Sequence, residues 1–243
     1  MIYLQKYAEN GLGREEKAIL QYLILESIPY RFASLDEPGC QFKSKIDNCE
    51  MFVGSVEGVT KILEVLGYAS PIPNYYPACL HQFLKRKVWS GRISDVKLFL
   101  QDGALFIKPF DEWKTFTGSI ITPQNSNLFI DKYPADMKIW FSEVVNYVSE
   151  FRVYVTEGKC TAICQYSGEE DSVIETEEIL EAITIMNLDD SQKKTYAFDW
   201  GLTEDGKVSL VELNGSFAIG KYSGITNRQY FSFLMSGWKQ LVQ

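Results

Sequence analysis

The sequence is poor in the residues from which most zinc sites and nucleophilic sites are built. It has a single histidine, His81, among 243 residues. One histidine leaves little material for a Cys/His zinc site or for a Ser-His or Cys-His pair. The five cysteines are odd in number and follow no metal-binding spacing; they are Cys40, Cys49, Cys79, Cys160 and Cys164. We therefore expect chemistry that needs neither zinc nor a protein nucleophile.

The chain also lacks a long apolar segment and an excess of positive charge. Nowhere do the roughly 18 apolar residues of a membrane span run together. The first ten residues do not resemble a signal peptide, so we expect a cytoplasmic location and neither secretion nor membrane insertion. With 24 basic and 32 acidic residues the net charge is -8. Such a surface disfavours general nucleic-acid binding, because phosphate neutralisation needs clustered lysine and arginine.

What is present indicates a globular α+β protein. Hydrophobic residues make up 46% of the chain and aromatic residues 14%, enough for a sizeable core. Residues 2–7 and 51–54 are predicted strands, each followed by a predicted helix, at 14–27 and 55–66. The turn at 71–74 then indicates a boundary. We predict an N-terminal α/β lobe at 1–73 and a second domain at 74–243.

The C-terminal half shows hairpins and two further helices. Residues 196–202 and 207–213 flank Asp205-Gly206, a strong hairpin signal. A second hairpin is predicted at 151–156 and 160–166. A helix is expected at 172–187, and another at 227–242. The apolar face expected for the first of these helices comprises Ile179, Leu180, Ile183 and Met186.

Three oxygen-bearing side chains converge on the hairpin at 196–213. Asp199 lies in its first strand, whereas Glu212 and Asn214 lie two apart at the end of the second and therefore share a face. Carboxylate and amide oxygens suit Mg²⁺, which takes its other ligands from water and substrate phosphates. The alternative is that Asp199 and Glu212 are solvated charges. Glu212 interrupts an apolar strand, however, and a carboxylate there needs a partner.

Lysines supply candidate phosphate contacts. Lys108 lies near the end of a predicted buried strand at 104–109, where a lysine must snorkel to solvent or meet an anion. Lys114 follows in the loop at 110–118 and is either an exposed loop lysine or a contact to phosphate or substrate. The basic cluster Lys85, Arg86 and Lys87 is either a solvated face or a phosphate contact. We assign Lys87 to the nucleotide, although the sequence does not distinguish among the three.

The order of these segments resembles the ATP-grasp superfamily. The resemblance rests on Ala104–Pro109 with its lysine, on the segments beginning at Glu143 and Ser149, and on Asp199 followed by the hairpin and Val-Glu-Leu-Asn. Residues 108–118 are similar to a small ATP-grasp clade whose signature is one arginine and two lysines. The resemblance implies an α+β ATP-grasp fold, with ATP held between antiparallel sheets behind a short N-terminal α/β lobe.

The resemblance also implies residue roles. Glu143, Val144 and Val145 hold adenine, and Glu150 faces the ribose. Lys108 meets the nucleotide phosphates, and Lys114 is the second lysine of the clade pattern. Arg152 contacts a phosphate or the acyl intermediate. An alternative is that Glu150 and Arg152 pair with each other along one strand face.

The function implied is ATP- and Mg²⁺-dependent ligation of a carboxylate to an amine through an acylphosphate, with an amino acid, peptide or protein end as substrate. Three alternatives remain at this stage. One is a nucleotide-binding module without catalysis. Another is a nucleotidyltransferase or nucleic-acid ligase, for which the nearest nucleophile motif, Lys45-Ile-Asp-Asn48, lacks the required glycine. The third is a purely structural protein, which leaves Lys108, Glu150, Asp199 and Glu212 unexplained.

Overall fold

A computed structural model describes residues 1–7, 11–35, 46, 48–100, 103–113, 115–170 and 172–243. Three β-sheets organise the chain in sequence order. A three-stranded parallel sheet comes first, and two four-stranded antiparallel sheets follow. Helices pack on these sheets, which makes the fold α+β as expected. No helix in the described ranges is long and apolar enough to cross a membrane.

The N-terminal sheet has the order β2-β1-β3. Its elements are β1 (Ile2–Gln5), α1 (Arg14–Leu25), β2 (Tyr30–Ala33), β3 (Met51–Val53) and α2 (Val56–Leu66). The Ser55 hydroxyl caps α2 by accepting the Gly58 N–H at 3.1 Å, and Gly67 ends it with φ of 86°. Both helices lie where the apolar periodicity predicts them, although α1 ends two residues earlier than expected.

The middle sheet has the order β4-β7-β5-β6. Its strands are β4 (Val88–Arg92), β5 (Leu105–Pro109), β6 (Ser119–Ile121) and β7 (Lys138–Glu143). Two short helices, α3 (Val96–Phe99) and α4 (Ser126–Ile130), lie between these strands, and two 3₁₀ turns cover Ala78–Phe83 and Ile93–Asp95. Fully buried Ile107, Ile139 and Phe141 form the core of this sheet. That burial places Lys108, next to Ile107, near the end of a well-packed strand.

The C-terminal sheet has the order β11-β10-β8-β9 and contains both predicted hairpins. Its strands are β8 (Ser149–Thr156), β9 (Lys159–Gly168), β10 (Tyr196–Leu202) and β11 (Val208–Asn214). Asp199 lies opposite Glu212, and a bulge follows at the next pair, Trp200 opposite Leu210. The hairpin therefore brings the two predicted metal carboxylates together across neighbouring strands.

The helix expected at 172–187 begins later than predicted and faces the core differently. It runs as α5 from Glu177 to Leu188, and the last helix, α6, runs from Asn227 to Leu241. The expectation that Leu180 packs on the core is wrong, because its side chain is 51% exposed. Ala182 is buried instead, beside Ile179, Ile183 and Met186. The apolar stripe passes through a small residue that gives little signal in the sequence.

The N-terminal sheet shares a core with the C-terminal part of the chain. Leu4 and Ile62 belong to the same buried cluster as Tyr154 of β8 and Phe233 of α6. Tyr22 of α1 packs on Phe231 of α6, with ring centroids 4.9 Å apart. The boundary after residue 73 stays a prediction.

Close packing at Gly201 supports one stability prediction. A Cβ atom at this position would lie 2.1 Å from the Tyr147 ring. We expect Gly201→Ala to destabilise the fold by about 1–3 kcal/mol, because the ring must move. Urea denaturation measures this cost. In a Tyr147→Ala background the same substitution should cost much less, since the obstructing ring is gone; an equal cost in both backgrounds would show that the ring is not the cause.

Candidate active site

A cavity of about 500 Å³ lies between the two antiparallel sheets. Strands β5 and β7 form one side, and β8, β10 and β11 form the other. Most of the residues predicted to bind nucleotide or metal line it. They are Lys108, Glu143, Val144, Val145, Glu150, Asp199 and Glu212. One site therefore collects residues that are up to 104 positions apart in sequence.

Lys108 and Glu212 form a buried ion pair across the two sheets. The Lys108 ammonium donates to Glu212 Oε2, and its side chain is only 8% exposed. The ammonium also lies 3.2 Å from the centroid of the Tyr75 ring, a favourable place for a cation. Burial lowers the pKa of Lys108, and the charge of Glu212 opposes that shift. The lysine therefore meets an anion, as its position near the strand end predicts.

Arg152 and Asp199 form a second buried pair beside the first. The guanidinium donates two hydrogen bonds to the Asp199 carboxylate, at 2.8 and 2.7 Å. Such bidentate contacts are strong and fix geometry. Burial raises the pKa of Asp199 to about 6, and the hydrogen bonds from Arg152 oppose that shift. Burial lowers the pKa of Arg152, but Asp199 raises it further, so the guanidinium stays charged.

Asn214 joins the two ion pairs. Its amide donates to Asp199 Oδ2 at 3.0 Å and to Glu212 Oε1 at 3.1 Å. The three predicted metal ligands therefore lie within hydrogen-bonding reach of one another. In the described part of the chain no group of three or more Asp, Glu, His or Cys side chains is arranged to hold a metal by itself. Two carboxylates and one amide suit a hard cation such as Mg²⁺ that also takes phosphate oxygens as ligands.

The far end of the cavity carries the residues expected to meet adenosine. Val144 and Val145 follow the end of β7 and line the cavity. Glu150 accepts a hydrogen bond from the Tyr166 hydroxyl at 2.8 Å. The alternative in which Glu150 pairs with Arg152 is not realised, because Arg152 pairs with Asp199. Glu150 is therefore bound to a neutral partner.

Arg86, which the sequence did not separate from its neighbours, is the member of the basic cluster that lines the cavity. It donates to the Ser142 hydroxyl on β7 at 2.8 Å and to the carbonyls of Leu210 and Val211 on β11, each at 2.7 Å. Arg86 therefore ties together the two sheets that enclose the cavity. The only sequence signal for it is membership of the cluster.

Lys85 and Lys87 make ion pairs elsewhere. Lys85 pairs with Glu178 at 2.5 Å. The side chain of Lys87 is 84% exposed and lies 3.8 Å from Glu143. The nucleotide contact assigned to Lys87 stays a prediction, since the structure places this residue at the rim, beside Glu143, and not in the cavity wall.

The loop at 110–118 contributes to the wall on either side of Lys114. Trp113 donates from its indole to the Pro71 carbonyl at 2.6 Å, and Thr117 and Gly118 line the cavity. Lys114 itself lies outside the described residues, as do Lys45 and Asp47 of the segment 45–48.

The fold and site are those of an ATP-grasp protein. Residues 83–233, more than half of the chain, match the model of an ATP-grasp domain, the second family of its clade, and the chain therefore belongs to this family. No curated protein sequence matches the chain.

Solved structures show the same fold at low sequence identity. The D-alanine–D-alanine ligase from Bacillus anthracis complexed with ATP aligns with a TM-score of 0.57 and 14% identity, over 99% of this chain and 96% of that chain. A RimK domain ATP-grasp protein from Sphaerobacter thermophilus gives 0.58 and 10%, over 100% and 99%. The macrocyclase MdnC from Microcystis aeruginosa, bound with precursor peptide MdnA, gives 0.52 and 8%, over 100% and 99%.

The Lys108–Glu212 pair generates a stability prediction. Glu212→Gln leaves a buried ammonium without its anion, and Lys108→Met leaves the carboxylate without its cation, so each should cost about 3 kcal/mol in unfolding free energy. The double variant removes both charges and should cost less than the two single costs added together. Urea denaturation of the four proteins measures the coupling. Strict additivity would contradict a direct pair.

Proposed function

We propose that the protein is an ATP- and Mg²⁺-dependent ligase that joins a carboxylate to an amine and releases ADP. The observation that carries the proposal is the pairing of two cations with two carboxylates inside the cavity between the antiparallel sheets. Membership of the ATP-grasp family supports it.

In this proposal the nucleotide lies along the cavity. Adenine meets the backbone of Glu143, Val144 and Val145, as the family resemblance implies. The Glu150 carboxylate receives the ribose hydroxyls. Lys108 contacts the phosphates, and Lys87 reaches them from the rim. Asp199, Glu212 and Asn214 hold Mg²⁺, which neutralises phosphate charge and draws the terminal phosphoryl group into line.

Binding of Mg-ATP exchanges counterions within the site. Lys108 and Arg152 turn from Glu212 and Asp199 towards phosphate oxygens, while the two carboxylates turn to the cation. Each charged side chain has an opposite charge before and after the exchange. Such an exchange keeps buried charges paired, which avoids the large cost of a bare charge in a protein interior.

The reaction proceeds in two balanced steps. A substrate carboxylate oxygen attacks the γ-phosphorus of ATP, which forms an acylphosphate and releases ADP. A neutral amine then attacks the acyl carbon, the phosphate leaves with the C–O electron pair, and the amide loses a proton. Arg152 and Lys114 stabilise the charge on the transferred group and on the acyl intermediate. No side chain of the protein acts as nucleophile, in keeping with the single histidine.

We propose an amino acid, a peptide or a protein end as the substrate. Support comes from what the structurally similar proteins act on, since one is a D-alanine–D-alanine ligase and another is bound to a precursor peptide.

Calorimetric titration with Mg-ATP tests the metal and phosphate assignments. The parent should bind, and Glu212→Gln should bind more than about tenfold more weakly, because the cation loses a charged ligand. Glu178→Gln removes the same charge from a surface pair with Lys85 and should bind like the parent. Equal affinity of the Glu212 variant and the parent contradicts the metal assignment.

Labelled ATP tests which bond breaks. With an α-³²P label and a pool of amino acids and peptides, the proposal expects labelled ADP and no label on the denatured protein. Label retained on the protein and lost in Lys45→Ala or Lys108→Ala would establish a nucleotidyltransferase. Tight Mg-ATP binding without turnover for any acceptor would support a binding module.

A further inference from the structure

A second, open cleft of about 490 Å³ lies between α1 and the segment that precedes α6. Three of the eight residues in its wall are cations, Arg14, Lys17 and Lys221, and the described wall contains no aspartate or glutamate. The other residues are Ala18, Gln21, Tyr222, Ser223 and Asn227. In a chain with net charge -8, such a wall is a local reversal of the surface charge.

Two helices begin at this cleft. Arg14 is the first residue of α1, which has 12 residues, and Asn227 is the first residue of α6, which has 15. The N-terminal end of a helix carries partial positive charge. The backbone therefore adds to the positive potential that the three side chains create.

The nearest acidic side chain is already engaged. Glu15 accepts the Lys221 N–H at 3.2 Å and lies 3.8 Å from the Arg14 guanidinium. The side-chain ammonium groups of Lys17 and Lys221 have no ion-pair partner within 4 Å among the described residues. The arrangement leaves two lysines able to receive an external anion.

Aromatic rings connect the cleft to the proposed active site. The Tyr222 ring lies against Arg14 of the cleft, 5.7 Å from centroid to guanidinium carbon, and against Arg152, at 5.0 Å. Tyr222 also stacks on Tyr166, with centroids 5.0 Å apart, and Tyr166 lines the larger cavity. The two cavities therefore share a wall of two tyrosine rings, and Arg152 lies beside that wall.

We infer that the cleft binds an acidic peptide segment whose neighbouring carboxylate is the group activated beside Arg152. The inference rests on the proposed function and narrows its substrate to peptides with several carboxylates. Neutral donors in the wall, Gln21, Ser223 and Asn227, complement the cations in binding carboxylate oxygens. Three cations on an otherwise acidic surface favour a short acidic segment over the extended phosphate backbone of a nucleic acid.

The test uses capped tetraglutamate as the probe, titrated calorimetrically into the full chain without nucleotide at low salt. Capped tetraglutamine is the uncharged comparison. The variant Lys17→Gln with Lys221→Gln removes two charges from the cleft. The control, Lys97→Gln with Lys159→Gln, removes two charges from exposed lysines outside the wall.

The inference expects the parent to bind tetraglutamate and not tetraglutamine. The cleft variant should bind tetraglutamate about fivefold more weakly or worse, which is the combined effect of two exposed charge pairs. The control should stay within about twofold of the parent, since only overall net charge changes there. Mg-ATP affinity should be the same in all three proteins, which also reports that they are folded.

Several results would overturn the inference. These are absence of tetraglutamate binding by the parent, equal binding of tetraglutamine, and equal weakening in the control. A single-stranded oligonucleotide that binds the cleft more tightly than tetraglutamate would overturn the peptide assignment. Failure of the parent to bind Mg-ATP contradicts the proposed ligase instead, because the probe is titrated without nucleotide.

Discussion

Charge pairing between two sheets is the constraint on which the site depends. Lys108 comes from the middle sheet and Glu212 from the C-terminal sheet, and their contact is buried. Arg152 and Asp199 repeat the arrangement within the C-terminal sheet. Burying four charges is tolerated only when each has an opposite charge and hydrogen bonds. The sheets must therefore keep a fixed separation, and that separation defines the cavity.

Hydrogen bonds from Arg86 maintain this separation. Arg86 holds Ser142 of one sheet to the carbonyls of Leu210 and Val211 on the other. Those carbonyls lie at the bulge that follows the pairing of Asp199 with Glu212. Bulges re-aim side chains beside functional sites. The bulge thus serves both the carboxylates, which face the cavity, and the clamp, which holds the strands that carry them.

Local sequence signals predicted the elements that carry the site. Asp205-Gly206 identified the hairpin, and a lysine next to an apolar strand identified Lys108 as a residue that must meet an anion. Partners across the fold were harder to predict. Nothing in the local pattern separates Arg86 from Lys85 and Lys87, because its five-donor guanidinium acts on residues more than 120 positions away. Arg152 was matched to Glu150 as one alternative, since two residues apart on a strand is a visible relation and Asp199 on the next strand is not. Leu180 was misplaced because an alanine, Ala182, occupies the buried position.

A crystal structure with Mg²⁺ and a non-hydrolysable ATP analogue tests the central claim most directly, because it shows which charges exchange partners. The account predicts the nucleotide in the cavity between the antiparallel sheets, with Lys108 on phosphate oxygens and Mg²⁺ bound by Asp199 and Glu212. It also predicts that Arg86 keeps its contacts with Ser142 and β11. Nucleotide bound elsewhere, or Lys108 still paired with Glu212 while Mg²⁺ binds other ligands, would contradict the account.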